Sequence, residues 1–446
     1  MMKASRYNVT SAREDGGEVL FNTLYGSLTA LAPEEVAAVT AALRNPAAAP
    51  PDVTRTLEEQ QHLVPSDRDE LAVVQARKQA GISSRRRLDV VVMTTMDCNL
   101  NCVYCYETHE NGTRMTPEVE RRLCAWLERE MPTVTLLMLH WFGGEPLYDT
   151  PLIARVSRRA KAIAASAGTG VALHVTTNGY LLHGWRRDEL LAAGVHDFQV
   201  TMDGPADIHD RMRPTSAGRG SFEQIFRNVC DTVRADPRVG MTLRVNINHT
   251  NVERVSELLR LFEPDVRRRL RLALEPVFGD ADVSATLNLT KQALAQALAD
   301  LYTEAKTLGY QVSAASSGLL TGRLTYCYAE RERQHVINYD GSVYKCTAGS
   351  FDPAHKLAEL TEDGRIESSE GARESWMVLG DRFDAACQEC VYLPLCMGGC
   401  RKVRAQGAVE SCTLVPSNAS YVLKQVALSG FPSSLVESHC EASVVR

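Results

Sequence analysis

The chain has 446 residues, of which 44% are hydrophobic and 23% charged, with a formal net charge of −6 at pH 7. This composition suits a globular chain of roughly two or three domains with a substantial core. It argues against nucleic-acid binding, because no long basic stripe offsets the negative balance. No run of about 18 or more apolar residues occurs, and Met1 to Arg6 lack the apolar centre of a signal peptide, so the expectation is a cytoplasmic protein without a membrane span.

In chain order, residues 1–75 read as a small α+β unit. Alternation in Tyr7-Asn8-Val9-Thr10 and Val19-Leu20-Phe21 on either side of Gly16-Gly17 predicts a hairpin. Pro33 stands where a helix begins, and Val36, Val39 and Leu43 share one face of it. An Ala/Pro-rich loop at 45–51, a polar helix and Leu63-Val64-Pro65 follow. A basic linker is expected at 76–87, with Arg85-Arg86-Arg87 as a solvated face. From 88 to 309 strand-like runs (88–96, 134–142, 171–177, 198–202, 242–247 and 270–277) alternate with helical runs (117–131, 151–167, 185–193, 221–235, 252–262 and 290–307). That rhythm predicts an α/β fold with parallel strands and right-handed crossovers. Six repeats fall short of the eight that close a barrel, which predicts an open, partial (β/α)6 barrel. From 310 to 446 the rhythm fades into loops rich in cysteine and glycine, a composition that needs metal clusters for stability.

Thirteen cysteines in a cytosolic chain point to metal or catalysis rather than disulfides. Cys124 and Cys230 fall in amphipathic helical patterns and read as buried, inert thiols. Cys440 reads as an exposed thiol near the end of the chain. The other ten form two groups. The first, Cys98, Cys102 and Cys105, has the spacing C-x3-C-x2-C and directly follows the first predicted strand. Three thiolates this close can hold three irons of a four-iron cluster and leave the remaining iron open to a ligand. A zinc site is the alternative, with three ligands and no nearby histidine.

This loop, with Tyr104 just before the third cysteine, resembles the signature of the radical S-adenosylmethionine (SAM) superfamily. The resemblance continues at the ends of later strands, in Gly143-Gly144-Glu145-Pro146, Thr176-Thr177-Asn178-Gly179, Thr201-Met202-Asp203-Gly204-Pro205 and Asn246, where β/α folds place ligands. It implies a SAM pocket made by Tyr104, Gly143, Gly144, Glu145, Asn178, Thr201 and Asn246, with the GGEP segment at the SAM amino group. His209 and Arg213 resemble family positions too, but read equally well as polar loop residues. The implied chemistry is cleavage of SAM by one electron to a 5′-deoxyadenosyl radical, which abstracts hydrogen from an unactivated C–H bond.

The second group is Cys327, Cys346, Cys387, Cys390, Cys396, Cys400 and Cys412. Its spacing resembles the SPASM domain of radical SAM enzymes. The resemblance implies two auxiliary four-iron clusters, the first on Cys327, Cys346 and Cys400 and the second on Cys387, Cys390, Cys396 and Cys412, and so three clusters in all. A zinc ribbon on Cys387, Cys390, Cys396 and Cys400 would leave three cysteines unexplained. No further cysteine lies just before Cys327. The first auxiliary cluster is therefore expected to keep an open or substrate-bound iron, the alternative being a ligand from elsewhere in the chain or water.

SPASM enzymes mostly modify peptides or proteins, so the resemblance implies a precursor-peptide substrate and a flavodoxin- or ferredoxin-type electron donor. The expected product is a cross-link, either a thioether or a carbon–carbon or carbon–oxygen bond. Sulfatase-maturing relatives typically carry an aspartate directly after the second SPASM cysteine, where this chain has Thr347-Ala348; that reading is the alternative. The N-terminal unit loosely resembles winged-helix domains that hold leader peptides, and serves otherwise as a cap on the barrel. A non-catalytic iron–sulfur electron carrier is the alternative of another class, and the SAM-pocket segments speak against it. No residue is assigned as a catalytic base.

Overall fold

The computed structural model describes residues 1–277, 286–312, 322–348, 351, 353–368, 383–405 and 423. In the N-terminal unit, β1 (Met2–Ala4) pairs antiparallel with β5 (Leu63–Pro65). The predicted hairpin forms from β2 (Asn8–Ala12) and β3 (Glu18–Asn22), and β4 (Leu28–Leu31) joins the other side of β3. Helices Pro33–Arg44 and Pro51–Glu59 close over this sheet through Leu20, Leu31, Val39, Ala42, Leu57 and Leu63.

The expected linker is largely helical: helix Glu70–Ser83 runs through most of it. Asp69 caps the first turn by accepting from the Ala72 amide. Glu70, Val74, Lys78, Gly81 and Ile82 form its buried face. The charges at Arg77 and Lys78 suggest a solvated segment, but Lys78 is buried because its partners come from the far end of the chain.

The β/α alternation folds as predicted. β6 (Arg87–Met93), β7 (Leu136–Phe142), β8 (Gly170–Thr177), β9 (Asp197–Thr201), β10 (Gly240–Ile247) and β11 (Leu270–Pro276) pair in parallel, each beside its neighbour in sequence. Helices Pro117–Glu130, Thr150–Ala167, Gly184–Ala193, Phe222–Ala235, Val255–Leu261 and Lys291–Leu308 occupy the predicted runs. A further helix, Ala206–Met212, follows β9. Period-2 alternation sorts each strand between two faces. On β7, Leu137, Leu139 and Trp141 are buried in the main core, while Met138, His140 and Phe142 turn to the barrel interior.

The sheet does not stop where the β/α rhythm fades. β12 (Gln334–Ile337) pairs in parallel with the free edge of β6, and β13 (Ser342–Tyr344), β14 (Ala358–Leu360) and β15 (Ile366–Ser368) continue antiparallel, giving ten strands. Strands of three or four residues are too short to show a period. The N-terminal unit packs on the cysteine-rich C-terminal region. Val19 and Phe21 meet Leu395 and Cys396, and Tyr7, Leu24 and Val74 meet Phe383, Leu393 and Met397.

Candidate active site

The Cys98–Cys105 loop is anchored on both sides by backbone. The amides of Asn101 and Val103 donate to Pro214 and Met212 carbonyls, and the Ser216 amide donates to Asn99 O. Its base is held by β7's end: the Gly144 amide donates to Thr95 O at 3.0 Å, and the Glu145 amide to Asp97 O at 2.8 Å. That approach explains the two glycines. A Cβ on Gly143, at φ +126°, would lie 2.3 Å from Thr95 O, and one on Gly144 would lie 2.4 Å from Asp97 O.

Tyr104 centres a buried polar network. Its hydroxyl donates to Asp203 Oδ2 and accepts from Arg213 at 2.8 Å and Asn246 Nδ2 at 3.0 Å. Asp203 Oδ1 also accepts the Asn246 amide. Burial pushes the Asp203 carboxyl up, against the opposing pull of Arg213 and the Tyr104 hydroxyl. Burial also opposes the Arg213 charge, but Cys102, Tyr104 and Asp203 outweigh it and hold the guanidinium ionised. His209, buried beside Phe222, bridges the Asp203 amide and Ser221 Oγ. Asp203 and Arg213 thus hold up the motif without having been assigned to it. The signals in the sequence were an acid at a strand end and an arginine where relatives have one.

Glu145 is fully buried and does not line the cavity. Its carboxylate accepts from Thr177 Oγ1 at 2.7 Å and from the Leu147 and Asn178 amides at 2.9 and 2.8 Å. It therefore ties β7's loop to β8's end, and these bonds oppose the upward push of burial on its carboxyl. Asn178 Nδ2 donates to Asn99 Oδ1 at 2.8 Å.

These elements surround a cavity of about 970 Å³. Cys98, Cys102, Tyr104, Cys105, Gly143, Gly144, Asn178, Thr201 and Asn246 line it, and so does Cys400, together with Tyr326, Tyr328, Thr347 and Ala348. Arg244 and Glu107 also face it and were missed by the sequence reading. Glu107 has a buried Oε1 with no hydrogen-bond partner, and burial pushes its carboxyl up to about 8.

Residues 92–262 match the family model described as the radical SAM superfamily. The chain carries a radical SAM domain. Among curated proteins it is similar to Fe-coproporphyrin III synthase of Methanosarcina barkeri, at 25% identity over 185 residues, 41% of this chain and 43% of that protein. It is similar also to the cysteine-type anaerobic sulfatase-maturating enzyme of Clostridium novyi, at 24% identity over 220 residues, 46% of this chain and 57% of that protein. The chain thus spans about half the length of these curated relatives. Among solved structures, anSMEcpe with bound AdoMet and the Cp18Cys peptide superposes with a TM-score of 0.62 at 18% identity, over 80% of this chain and 100% of that one. Streptococcus suis SuiB bound to the precursor peptide SuiA superposes with a TM-score of 0.54 at 12% identity, over 93% of this chain and 100% of that one. At these identities the likeness to solved structures is one of fold.

A radical SAM domain uses SAM and a four-iron cluster, and the cavity's donor set fits both. Burial comes first in pushing the Cys98 and Cys105 thiols up, with Glu145 and Glu107 adding to it. A cationic metal centre supplies the missing compensation. The Asn99 Nδ2 donor, between Cys98 and Cys102 in sequence, is buried without a protein partner, as a bound acceptor group requires. One expectation needs correction: a histidine does lie near the loop, with His109 Nε2 3.4 Å from Cys105 Sγ. Among the described residues, however, no three Cys, His, Asp or Glu side chains are arranged to hold a single metal ion. A cluster that gives each thiolate its own iron has no such requirement.

In the C-terminal region burial pushes the Cys327 thiol up to about 12, reinforced by the Glu330 carboxylate and then by Cys346 and Cys400. Cys387, Cys390 and Cys396 lie on the neighbouring turn, away from the cavity and against the N-terminal unit. Cys412 and Cys440 fall outside the described residues. Cys124 and Cys230 sit on helices, where burial pushes each thiol up to about 11. No helix among the described residues is long and apolar enough to cross a membrane.

Proposed function

We propose that this chain is a cytoplasmic peptide maturase that installs a cross-link, a thioether or a carbon–carbon or carbon–oxygen bond, in a ribosomally made precursor peptide. The observation that carries this reading is the shared cavity, which has Cys98, Cys102 and Cys105 on one wall and Cys400, Tyr328 and Thr347 on the other. At about 970 Å³ it is at the upper end of small-molecule sites, with room for SAM and a substrate side chain together. The peptides bound by anSMEcpe and SuiB support a peptide substrate.

In this reading Cys98, Cys102 and Cys105 hold the four-iron cluster, and Tyr104, Gly143, Gly144, Asn178, Thr201 and Asn246 shape the SAM pocket, with Glu145 as its buried brace. Cys327, Cys346 and Cys400 hold the first auxiliary cluster, and Cys387, Cys390, Cys396 and Cys412 the second. With SAM bound, the cluster supplies a 5′-deoxyadenosyl radical when a flavodoxin- or ferredoxin-type donor reduces it. The chain's own residues orient the substrate C–H bond and keep water from the radical. Functionally the chain divides into 1–75 for leader recognition, a short connection up to 87, the radical SAM barrel at 88–309 and the auxiliary region from 310. The outer strands β2 and β4 are the edges on which an extended leader would pair.

Sulfatase maturation is the second reading, supported by the Clostridium novyi relative. Thr347 and Ala348 line the cavity directly after Cys346, and neither is an acid that could act as a base there. The test is anaerobic co-production with a short peptide encoded beside this gene, followed by mass spectrometry. Loss of two hydrogens, with the bond located by fragmentation, is the expected result. An unchanged peptide despite SAM cleavage would overturn the assignment, and absence of SAM cleavage by the reduced protein would overturn the enzyme reading itself.

A further inference from the structure

A line of hydrogen-bonded side chains runs down the barrel interior below the SAM pocket. His140 on β7, His174 on β8 and Asp197 at the start of β9 stand in register across three neighbouring strands, and all three border the cavity. His174 Nδ1 lies 2.6 Å from Asp197 Oδ2, and Arg271 donates to Asp197 Oδ1. Thr176 Oγ1 lies 2.8 Å from His140 Nε2 and 3.4 Å from His174 Nε2, and it accepts from Gln199 Nε2 at 3.5 Å. Thr176 is two residues from Asn178, and His140 three from Gly143, so the line begins about 7–10 Å below the SAM pocket. It ends at Asp197, whose side chain is 43% exposed.

The partners fix the direction of each bond. Burial pushes the Asp197 carboxyl up, but His174 and Arg271 outweigh it and hold the group ionised. A carboxylate only accepts, so His174 carries its proton on Nδ1 and, as a neutral ring, presents a lone pair at Nε2. Thr176 then donates to His174 and accepts from Gln199 and from His140 Nε2–H. That leaves the lone pair of His140 on Nδ1. Burial, with His174 adding to it, holds the His140 imidazole well below its ordinary value against the pull of Asp197, so the ring is neutral and open to a proton. The other charged groups around the cavity are Asp89 on β6, paired with Arg87 and Arg331, Arg244 on β10, which donates to Asn246 Oδ1, and Glu275 on β11.

Closing a cross-link requires a way out for a proton. The C–H bond of one partner breaks, and its hydrogen atom passes to the 5′-deoxyadenosyl radical to give 5′-deoxyadenosine. The new bond forms as the S–H, C–H or O–H group of the other partner gives up a proton and one electron passes to an oxidised auxiliary four-iron cluster. Bulk water kept from the radical cannot carry that proton away. We propose that His140, Thr176, His174 and Asp197 form a proton-release line from the cavity to solvent at the opposite end of the barrel. A proton taken at His140 Nδ1, directly or through one bound water, sends the Nε2 proton to Thr176. The Thr176 proton moves to His174 Nε2, and the His174 Nδ1 proton to Asp197, which hands it to water. The inference rests on the cross-linking reading above. Thr176, His174 and Asp197 are positioning residues, because they act through His140.

The test uses the full-length, anaerobically reconstituted enzyme and the peptide encoded beside its gene, with the rate of cross-linking read by mass spectrometry and iron content measured alongside. His140→Ala and His174→Gln should each slow cross-linking about a hundredfold. Added imidazole should restore part of the His140→Ala rate and leave the wild type unchanged, a rescue that lost packing alone would not permit. Undiminished rates in both variants, or a His140→Ala loss that imidazole does not relieve at wild-type iron content, would overturn the inference alone. A peptide left unchanged by the wild type would overturn the cross-linking reading instead. In that case, or where a variant fails to fold, 15N NMR of the histidine rings in the wild-type holoenzyme decides, assigned with His140→Gln and His174→Asn. The expected pattern is Nε2–H on His140 with Nδ1–H on His174. The opposite tautomer on either ring, or a doubly protonated His174, would break the direction of the line and overturn it.

Discussion

Tyr104 is one hydroxyl serving three buried partners, Asp203, Arg213 and Asn246. Replacing it with phenylalanine takes this partner from a buried acid and two largely buried donors. Tyr104→Phe is expected to cost about 1–3 kcal/mol in urea unfolding, with reconstituted iron near wild type. Gly143 presents the complementary case, where any side chain is excluded. Gly143→Ala would combine a strained φ of +126° with a Cβ overlapping Thr95 O, at about 1–3 kcal/mol for strain and a similar amount for overlap. A lowered melting temperature together with reduced iron uptake is the expected outcome. The aromatic at position 104 and the glycine pair were visible as motif residues. Their partners were not, because Asp203 and Arg213 reach Tyr104 only when strand ends converge.

At the scale of elements, the N-terminal sheet carries a pH-sensitive joint. His62 is buried between Asn8 Oδ1 at 3.0 Å and Thr29 Oγ1 at 2.9 Å, and burial holds its imidazole down to about 4. In the unfolded chain it takes a proton near pH 6.5, so the unfolded state binds more protons between these values. The stabilisation is therefore fully present above about pH 6.5 and is lost as pH falls toward 4, by about 3 kcal/mol across the window. Urea unfolding from pH 7.5 to 4.5 should show this slope in the wild type and a flatter one in His62→Gln. An equal slope in both would remove His62 as the cause. Elements with a clear period, such as the six barrel strands and their helices, were legible in the sequence. Strand β12 was not, because four residues carry no period and its partner β6 lies some 240 residues earlier.

At the scale of the whole molecule, the three parts meet around the cysteines. The barrel supplies one wall of the cavity, the C-terminal region the other, and the N-terminal unit packs behind the C-terminal cysteine turns. If three four-iron clusters are present, wild-type protein carries roughly 12 irons per chain. A Cys98→Ala, Cys102→Ala, Cys105→Ala triple variant should then retain about two-thirds of that iron and lose all SAM cleavage, read by iron assay and by release of 5′-deoxyadenosine. Surviving cleavage would displace the active site from this loop.

The sequence by itself determined the β/α order, the open barrel, both cysteine groups and the motifs at the strand ends. All of these are written in local periodicity or in fixed spacing along the chain. Only the tertiary structure decided that Cys400 shares a cavity with the first cysteine loop, that Glu145 turns into the core as a brace, and that Lys78 is buried rather than solvated. The reason is physical. The cost of burying a charge, or the use of a carboxylate, depends on which groups stand opposite, and those groups come from distant parts of the chain that meet only once it has folded.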